Sequence, residues 1–593
     1  MSSKSDQNKK KQFLHGQKYV WQIPYFDTEK VCDISGKYNF SFPIAQVLFS
    51  RGFIDNNEID SFLFTSFERD VSHPSLLKDA QKAVDRILKA IENKESILVC
   101  GDYDVDGVTS TAMMMLCLLP LGAKINFFLP HRERDGYGLS EKIVKRAAKN
   151  KYSVIITVDN GITSFEAAKM AKDSKIDLII TDHHKPHSTL PEACAIVNPN
   201  QKECVYPCKI LAGVGVAFKV LSLLYEDIGR QLPPKVYELL MLGTIADVVP
   251  LLDENRYWVR HGLAHVNKNE SEALRVLKSN SGLNKPQISS IDVAFNVAPQ
   301  INALGRLKDA RQGVQFLIGS DKKTVESVGT TLWELNQARK EVERSIINDV
   351  EQIILSKQID VERENIIMAA HDNWPSGVIG LVASRLVESY GRPAFLFHLT
   401  KDGKAKGSCR SIEAFNIFMA LQECEDILDR FGGHSHAAGL SLPKENLPIL
   451  KERLEKMILE QLTPFDLQQK LKIDAQVLLP DVTKKIVSDL QLLEPFGCKN
   501  KQPVFYIKDV VLVAPPKLLK GLHVRCKVFA DGVTRSLIFF NRPDIFDALL
   551  SVADGPFSVA AYVRENFWNA QQLIELQGVD IAFNDGEKDD NNN

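Results

Sequence analysis

The sequence has no long hydrophobic run and no excess of charge of either sign. It contains no stretch of about 18 consecutive apolar residues, and its first residues, SSKSDQNKKKQ, are polar throughout, so we expect no membrane span, no secretion and a cytoplasmic location. Lys and Arg total 73 against 75 Asp and Glu, which gives a net charge of −2. The chain as a whole therefore exerts no pull on nucleic acid, and any polyanion site must be a local patch.

Cysteine is sparse, and no internal repeat of fixed period is visible. The ten cysteines are spread along the chain, several of them inside apolar segments, as is typical of reduced core residues rather than a disulfide framework. Cys204 and Cys208 raise the alternative of a zinc site, but they lack a second Cys or His pair nearby. A chain of 593 residues is too long for one core, and about three to five domains are expected.

The order of apolar runs predicts an α/β protein with an added β-rich domain. From about residue 96 to 200 short apolar runs alternate with helical patterns, which predicts a parallel sheet, and the β-rich composition after about 470 predicts a small barrel or sandwich. The expected divisions are an N-terminal extension (1–45), a catalytic domain (46–320), a connecting helix (321–360), a substrate-binding α/β domain (361–465), a β-barrel domain (466–583) and a disordered acidic tail (584–593).

Three aspartates stand at alternate positions where a predicted buried strand gives way to a helix. In GDYDVDG these are Asp102, Asp104 and Asp106. Carboxylates massed at the end of a strand repel one another unless a multivalent cation neutralises them, and the flanking glycines let the backbone turn around an ion. Such ligands fit hard cations, Mg²⁺ or Mn²⁺. A solvated acidic loop that caps the next helix is the alternative.

Three further polar clusters are expected at the same place. VDNG, with Asp159, and DHH, with His183 and His184, each follow an apolar strand, and Asp247 lies in the apolar helical run of GTIADVVPL. Because the carboxyl ends of parallel strands meet at one edge of a sheet, these residues should converge with the aspartate triplet. Mixed carboxylate and imidazole ligands favour Mn²⁺, and a shared aspartate could bridge two ions for displacement at phosphorus. Taken singly, an ordinary turn, a structural histidine pair and a paired or helix-capping aspartate are the alternatives.

The motifs GDYDVDG, VDNG, DHH and GTIADVVPL, in this order, resemble those of the DHH phosphoesterase family, and the similarity runs from about residue 45 to 580. The resemblance implies a two-lobed α/β core, a DHH-associated domain and an OB-like barrel. It also implies two divalent ions, Mn²⁺ or Mg²⁺. The implied ligands are Asp104, Asp106, Asp159, His183 and Asp247, with Asp102, Asp182 and His184 as further ligands or supports. The implied catalytic residues are the first five and His184, which could face the scissile phosphate.

Two motifs of the second half resemble phosphate-binding motifs of the DHH-associated domain. They are GSCRS and FGGHSHAAGL, which expose backbone amides beside basic side chains. The implied substrate contacts are Ser408 and Arg410 at a terminal 5′-phosphate, Gly433 and His434 at a phosphate near the metals, and Arg132 and Arg306 from the first lobe. A tight turn and a surface salt bridge are the alternatives.

The chain departs from the family at one motif. Where the family commonly has Trp-His-Pro-Gly, this sequence has Trp374-Pro375-Ser376-Gly377, so the role of that histidine has no residue here unless His371 takes it. In the β-rich region the resemblance implies single-strand binding by a group of basic residues, for which ordinary solvated charge is the alternative. These residues are Lys517, Lys520, Arg525 and Lys527.

The resemblance implies a 5′-to-3′ exonuclease that degrades single-stranded DNA to 5′-mononucleotides in DNA repair and recombination. A monomeric state and partnership with a helicase and a single-strand-binding protein are also implied. One alternative is a DHH hydrolase of small phosphates or short oligonucleotides, against which the added β-rich domain argues. The other is a non-catalytic single-strand-binding scaffold, which would be expected to lack ligand carboxylates that are all present here.

Overall fold

The computed structural model describes residues 12–131, 134–307, 309–319, 321–361, 363–552, 555–568 and 571–583. These residues fall into two compact units. The first unit comprises residues 61–342 and 494–501, and the second comprises the described residues of 1–60, 343–493 and 502–593. No helix of these described ranges is both long enough and apolar enough to cross a membrane.

The α-helices are α1 (Thr28–Tyr38), α2 (Phe42–Ser50), α3 (Asn56–Leu63), α4 (Phe67–Asp70), α5 (Ala80–Glu92), α6 (Val105–Leu118), α7 (Glu141–Lys149), α8 (Phe165–Asp173), α9 (Gly213–Asp227), α10 (Val236–Ala246), α11 (Asp253–Val266), α12 (Glu272–Asn280), α13 (Ser290–Asp292), α14 (Ala298–Leu307), α15 (Arg311–Ile318), α16 (Lys322–Leu355), α17 (Ser376–Tyr390), α18 (Ile417–Gln422), α19 (Leu447–Gln461), α20 (Lys484–Leu493) and α21 (Asp544–Val552).

The strands are β1 (Gln12–His15), β2 (Val20–Ile23), β3 (Ser96–Cys100), β4 (Lys124–Phe128), β5 (Val154–Val158), β6 (Asp177–Thr181), β7 (Ala195–Val197), β8 (Ile367–His371), β9 (Ala394–Leu399), β10 (Lys404–Arg410), β11 (Arg430–His434), β12 (Ala437–Pro443), β13 (Lys470–Lys472), β14 (Ala475–Gln476), β15 (Phe505–Leu512), β16 (Lys517–Leu519), β17 (His523–Ala530), β18 (Val533–Phe539), β19 (Phe557–Trp568) and β20 (Gln571–Phe583).

The first unit is built on a five-stranded parallel sheet in the order β4-β3-β5-β6-β7. Strand β5 is buried along its whole length, as expected for a strand that is covered on both faces. Helix α6 follows β3 and is almost entirely buried, which explains why its second half, residues 112–118, is apolar on every side. The predicted parallel α/β sheet is thereby confirmed. Its strands end at one edge of the sheet, and the polar motifs begin there.

The second unit contains a mixed α/β sheet, in the order β11-β12-β10-β9-β8, and a seven-stranded sheet. In the latter, β15 pairs with β19 and also with β17, so the strands close into a barrel rather than a two-layer sandwich. The segment expected as an N-terminal extension contributes β1 and β2, and β2 pairs in parallel with β13. The helix expected at 321–360 is α16, whereas the expected acidic tail, 584–593, lies outside the described residues.

Candidate metal centre

Polar residues follow three neighbouring strands of the first unit at the same edge of the sheet. Cys100 of β3 pairs with Thr157 of β5, and Val158 pairs with Thr181 of β6. The aspartate triplet, Asp159 and the DHH run come directly after these strand ends. The parallel register therefore brings three of the four motifs together, as ligand sites of open α/β sheets require.

Two aspartates of the triplet are held by helix N-termini. Asp104 caps α6, where its carboxylate accepts a hydrogen bond from the Gly107 backbone at 3.1 Å. Asp106 is buried, and its two oxygens accept from the backbone N–H groups of Gly213 at 2.6 Å and Val214 at 2.7 Å, at the start of α9. Each Asp106 oxygen keeps a further lone pair for an ion.

Asp159, His183 and Asp247 bring three polar atoms together without hydrogen bonds. Nε2 of His183 lies 3.2 Å from Oδ1 of Asp159 and 3.6 Å from Oδ2 of Asp247, and all three atoms are buried and lack a hydrogen-bond partner. His183 is also hydrogen-bonded to the backbone of Leu211, which must involve Nδ1 because Nε2 has no such bond. Nε2 is then the ring nitrogen with the free lone pair, aimed at two carboxylates.

The sequence predicts Asp247 within an apolar helical run, but in the structure it lies at the end of a helix. Helix α10 ends at Ala246, Asp247 is its C-cap, and Val248 takes a left-handed backbone with φ of 60°. That conformation is unusual for a β-branched residue, and it ends the helix at the residue that must face the sheet edge. The apolar run of the motif therefore did not reveal this helix end.

Asp182 and His184 form a separate pair that supports the loop. Oδ1 of Asp182 accepts from Nδ1 of His184 at 2.8 Å and from the backbone N–H of His183 at 2.7 Å, while Oδ2 accepts from the Ile162 backbone at 2.9 Å. Burial is the largest single influence on His184 and disfavours its imidazolium form, but the hydrogen bond to Asp182 and the charges of Asp182, Asp106 and Asp104 together exceed it and raise the pKa of His184 above its usual range. At Asp182 burial is again the largest single influence, but the hydrogen bond and charge of His184 and the backbone hydrogen bonds of His184 and Ile162 together lower the pKa of that carboxyl.

The pKa shifts of Asp106, Asp159 and Asp247 indicate that a bound cation would stabilise their charged forms. Burial, followed by the charge of Asp104, raises the pKa of Asp106 to about 7. Burial and the neighbouring aspartates also raise the pKa values of Asp159 and Asp247 well above their usual range. Burial, followed by the charge of His184, lowers the pKa of His183 to about 4, which keeps this ring neutral and able to bind a metal.

Potential ligand atoms in the described residues form three groups, within each of which the atoms lie no more than 4.8 Å apart. Two of these groups share Asp159, and two share His183. The groups are Asp102, Asp104 and Asp159; Asp159, His183 and His184; and Asp106, His183 and Asp247. This site fits divalent ions such as Mn²⁺, because its carboxylates repel one another and several of its buried atoms have no hydrogen bonds. Its mixture of carboxylate and imidazole ligands also suits such ions.

Several residues at this site escaped the sequence analysis. The hydroxyl of Tyr137 donates to the Asp159 carbonyl at 3.2 Å, and its ring meets the ring of His184 edge-on at 5.9 Å. Asn198 and Asn200 donate to the carbonyls of His184 and His183 at 2.9 and 2.7 Å. The GYG and NPN sequences around them were the available signals, but nothing local connects them to the DHH loop.

Of the two arginines predicted to contact substrate from the first lobe, Arg306 is among the described residues. Arg132 lies outside the described residues. Arg306 is half-buried in the last turn of α14, one turn after Asn302, whose side chain accepts from the Val105 backbone at 3.1 Å. Residues four apart share a face of a helix, so Arg306 lies on the side of α14 that meets the aspartate loop.

In the second unit, the predicted phosphate contacts share one face of the α/β sheet. Arg410 and His434 both stand opposite Ala437, from the two strands that flank β12. Arg410 donates to the Ser408 hydroxyl at 3.3 Å. A Cβ at Gly380 would lie 2.7 Å from that hydroxyl, so the first turns of α17 closely approach this pair. Gly433 has a φ of 145° and is exposed.

In the barrel, the basic residues lie on and beside one strand. Arg525 and Lys527 alternate with buried residues along β17, and Lys517 stands directly opposite Arg525. Lys520 lies in the turn that joins β16 to β17, with a φ of 54°. Phe529, on the same face of β17, is 41% exposed, which adds an aromatic surface beside the cations.

Three family models match the chain: the DHH family N-terminal domain over residues 96–244, the DHHA1 domain over 363–460 and the RecJ OB domain over 473–580. The single-stranded-DNA-specific exonuclease RecJ of Bacillus subtilis (strain 168) is 34% identical over 96% of this chain and 71% of its own length. That of Escherichia coli (strain K12) is 33% identical over 72% of this chain and 78% of its own.

Solved structures give the same family. RecJ of Thermus thermophilus in complex with Mn²⁺ matches with a TM-score of 0.80 and 27% identity, over 95% of this chain and 79% of that chain. The Mg²⁺ complex of the same protein matches with a TM-score of 0.74 and 25% identity, over 95% and 78%.

Proposed function

The chain belongs to the RecJ family of DHH exonucleases, and on this basis we propose that it degrades single-stranded DNA from the 5′ end to mononucleotides by two-metal phosphodiester hydrolysis. The chain is a single-strand-specific exonuclease that uses Mn²⁺ or Mg²⁺. The direction of degradation, the products and the roles of individual residues are our proposals.

The observation that carries the two-metal proposal is the sharing of ligands. Asp159 and His183 each belong to two of the three ligand groups, and their facing atoms have no hydrogen bonds. A single ion would leave several of these buried oxygens without a partner. Two ions that share Asp159 would satisfy them and would supply positive charge to the scissile phosphate.

We assign the protein groups around the ions by their hydrogen bonds. Asp106, with its oxygens oriented by Gly213 and Val214, would be a ligand of fixed direction. Asp182 has both oxygens engaged within the protein, so we assign it the role of orienting His184. His184, whose protonated form is favoured by that contact and which is 38% exposed, would donate a hydrogen bond to an oxygen of the phosphate.

We propose that Ser408 and Arg410 bind the terminal 5′-phosphate, because a guanidinium fork and a hydroxyl suit a phosphate dianion. Arg306 would bind a phosphate in the first unit. The face of β17 that carries Arg525, Lys527 and Phe529 would bind single-stranded DNA by charge and stacking. We also propose a cytoplasmic, monomeric enzyme in DNA repair and recombination, partnered by a helicase and a single-strand-binding protein.

The test is nucleotide release from 5′-phosphorylated single-stranded DNA, from its 5′-hydroxyl counterpart and from duplex DNA in the presence of Mn²⁺. Wild type should release mononucleotides from the single strand only, and Asp159→Ala should abolish release. Asp173→Ala removes an exposed aspartate of α8 and should act as wild type. Equal release by wild type and Asp159→Ala would refute the metal centre, whereas release from the 3′ end would refute the direction.

Arg410→Ala should erase the preference for a 5′-phosphate over a 5′-hydroxyl. If the preference persists, the terminal-phosphate assignment is wrong even though the nuclease assignment stands. Turnover of pyrophosphate without turnover of DNA would instead support the small-phosphate alternative.

A further inference from the structure

A second row of polar residues crosses the sheet face that carries Arg410 and His434. In the antiparallel ladders Lys406 stands opposite Ser441, and Ser441 stands opposite Arg430. Directly opposed residues of antiparallel strands project to the same face, and so do residues two apart along one strand. Lys406, Ser441 and Arg430 therefore form one row on the face of Arg410, at a distance of about 14 Å along the strands.

Between these two rows, β11 and β12 form a strip that has no side chains on this face, next to Ser408 of β10. Gly432 and Gly439 stand opposite each other, and both are exposed. A Cβ at Gly432 would meet nothing within 4 Å, and one at Gly439 would meet only the Gly407 carbonyl at 3.8 Å. Neither residue has the positive φ that requires glycine. Packing and backbone conformation thus leave both glycines unexplained, and glycine inside a strand often marks the close approach of a ligand.

The charges of the outer row are available to a ligand. Lys406 and Arg430 are exposed and form no ion pair within the described part of the chain. Lys404, two residues before Lys406 on β10, does form an ion pair, because its ammonium lies 3.1 Å from a carboxylate oxygen of Asp429. Two exposed cations that form no such ion pair, with a hydroxyl between them, suit a singly charged phosphodiester.

We propose that Lys406, Ser441 and Arg430 bind an internal phosphate of the single-stranded substrate, whose backbone lies over the strip formed by Gly432 and Gly439. The inference rests on the proposed function, in which Arg410 holds the terminal phosphate. The separation of the two rows exceeds one nucleotide repeat of the backbone, so the row engages only substrates longer than a dinucleotide. Because the contacts are to the backbone, this subsite adds affinity without base preference.

The test compares substrate lengths. Lys406→Ala combined with Arg430→Ala should raise KM about tenfold for a long 5′-phosphorylated oligothymidylate while leaving kcat unchanged, and should leave KM for the dinucleotide pTpT unchanged. Lys401→Ala removes an exposed lysine from the turn between β9 and β10, and is the matched control that should change neither value. An equal loss on both substrates, or no loss on either, would overturn the subsite.

Binding without turnover separates this subsite from the proposed function. In EDTA, fluorescence anisotropy should show that the double variant binds the long strand more weakly and with a salt dependence shallower by about 0.7 for each phosphate that it no longer binds. If wild type fails to hydrolyse DNA but this difference in binding remains, the proposed function fails and the subsite stands.

The glycine strip has its own test. Gly439→Val should fold with undiminished thermal stability, because its Cβ has space, yet should weaken binding of the long strand as the double variant does. Gly36→Ala, at another glycine with nothing within 4 Å of its Cβ, should leave binding unchanged. Undiminished binding by a folded Gly439→Val protein would contradict a substrate backbone lying over the strip.

Discussion

Nε2 of His183 faces Oδ1 of Asp159 at 3.2 Å, and neither atom has a hydrogen bond. Within a buried edge where nearby aspartates repel one another, such a contact is unfavourable unless a cation joins the two groups. The relationship identifies these two residues as the shared centre of the ligand set. By contrast, the oxygens of Asp182 both have protein partners, which makes that residue a support.

Asp182→Asn should lower activity by about 10- to 100-fold, because the amide cannot accept from Ile162, the DHH backbone and His184 together. Asp159→Asn should cost more. Steady-state kinetics with Mn²⁺, together with the Mn²⁺-induced rise in Tm, would separate the two: Asp182→Asn should retain most of the rise and Asp159→Asn should lose it. Equal loss of the rise in both variants would contradict the supporting role of Asp182.

Without divalent ions, the contribution of Asp106 to the stability of the first unit should fall as the pH rises from about 4 to about 7. The pKa of Asp106 is raised by burial and by Asp104 to about 7, so over this range the folded chain holds a proton that the unfolded chain releases. Asp106 stabilises the fold fully at pH values below its pKa in the unfolded chain. This stabilisation is lost as the pH rises toward its pKa in the folded chain, at up to about 1.4 kcal/mol per pH unit.

Urea unfolding of wild type and Asp106→Asn in EDTA at several pH values would measure this contribution as the difference between their two slopes of stability against pH. Added Mn²⁺ should restore more stability at pH 8 than at pH 5, because only deprotonated carboxylates bind the ion. The same slope in wild type and Asp106→Asn would show that this carboxyl is not the titrating group.

Gly213→Ala should damage the metal centre through contact alone. A Cβ at Gly213 would lie 2.6 Å from the Cβ of Asp159, so Asp159 must move. We expect activity and Mn²⁺ affinity to fall by at least about tenfold, since catalytic geometry tolerates little displacement. Gly215→Ala on the same helix, whose Cβ would be 3.4 Å from Leu211, is the matched control and should retain both.

Asp580→Ala should destabilise the second unit by about 3–5 kcal/mol without changing Mn²⁺ binding. Asp580 is fully buried, accepts from Nε1 of Trp21 at 2.9 Å and lies 3.2 Å from Arg542, so its loss leaves buried donors unpaired. Asp544→Ala removes the other, more exposed partner of Arg542 and should cost less than about 1 kcal/mol. Denaturant unfolding of both variants measures the difference, and comparable losses would show that burial of Asp580 is unimportant.

Much of the fold could be predicted because the local signals were strong. The strand β5 is a continuous apolar run that ends at Val158, and the parallel arrangement follows from its alternation with helices. The end of α10 was missed because Val248 is apolar and β-branched, and no local rule predicts its left-handed conformation. The pairing of β2 with β13 was missed because it joins segments more than 400 residues apart in the sequence.

The sequence by itself determined the ligand types, their order along the chain and the edge of the sheet where they gather, because strand periodicity and motif position are local properties. Only the tertiary structure decided which lone pairs remain for an ion. The oxygens of Asp106 accept hydrogen bonds from the backbone N–H groups of Gly213 and Val214, and Asp182 accepts one from Ile162. These donors are all distant in sequence from the aspartates that they bind. Hydrogen-bond satisfaction depends on which backbone groups folding brings within about 3 Å, and no residue pattern specifies that.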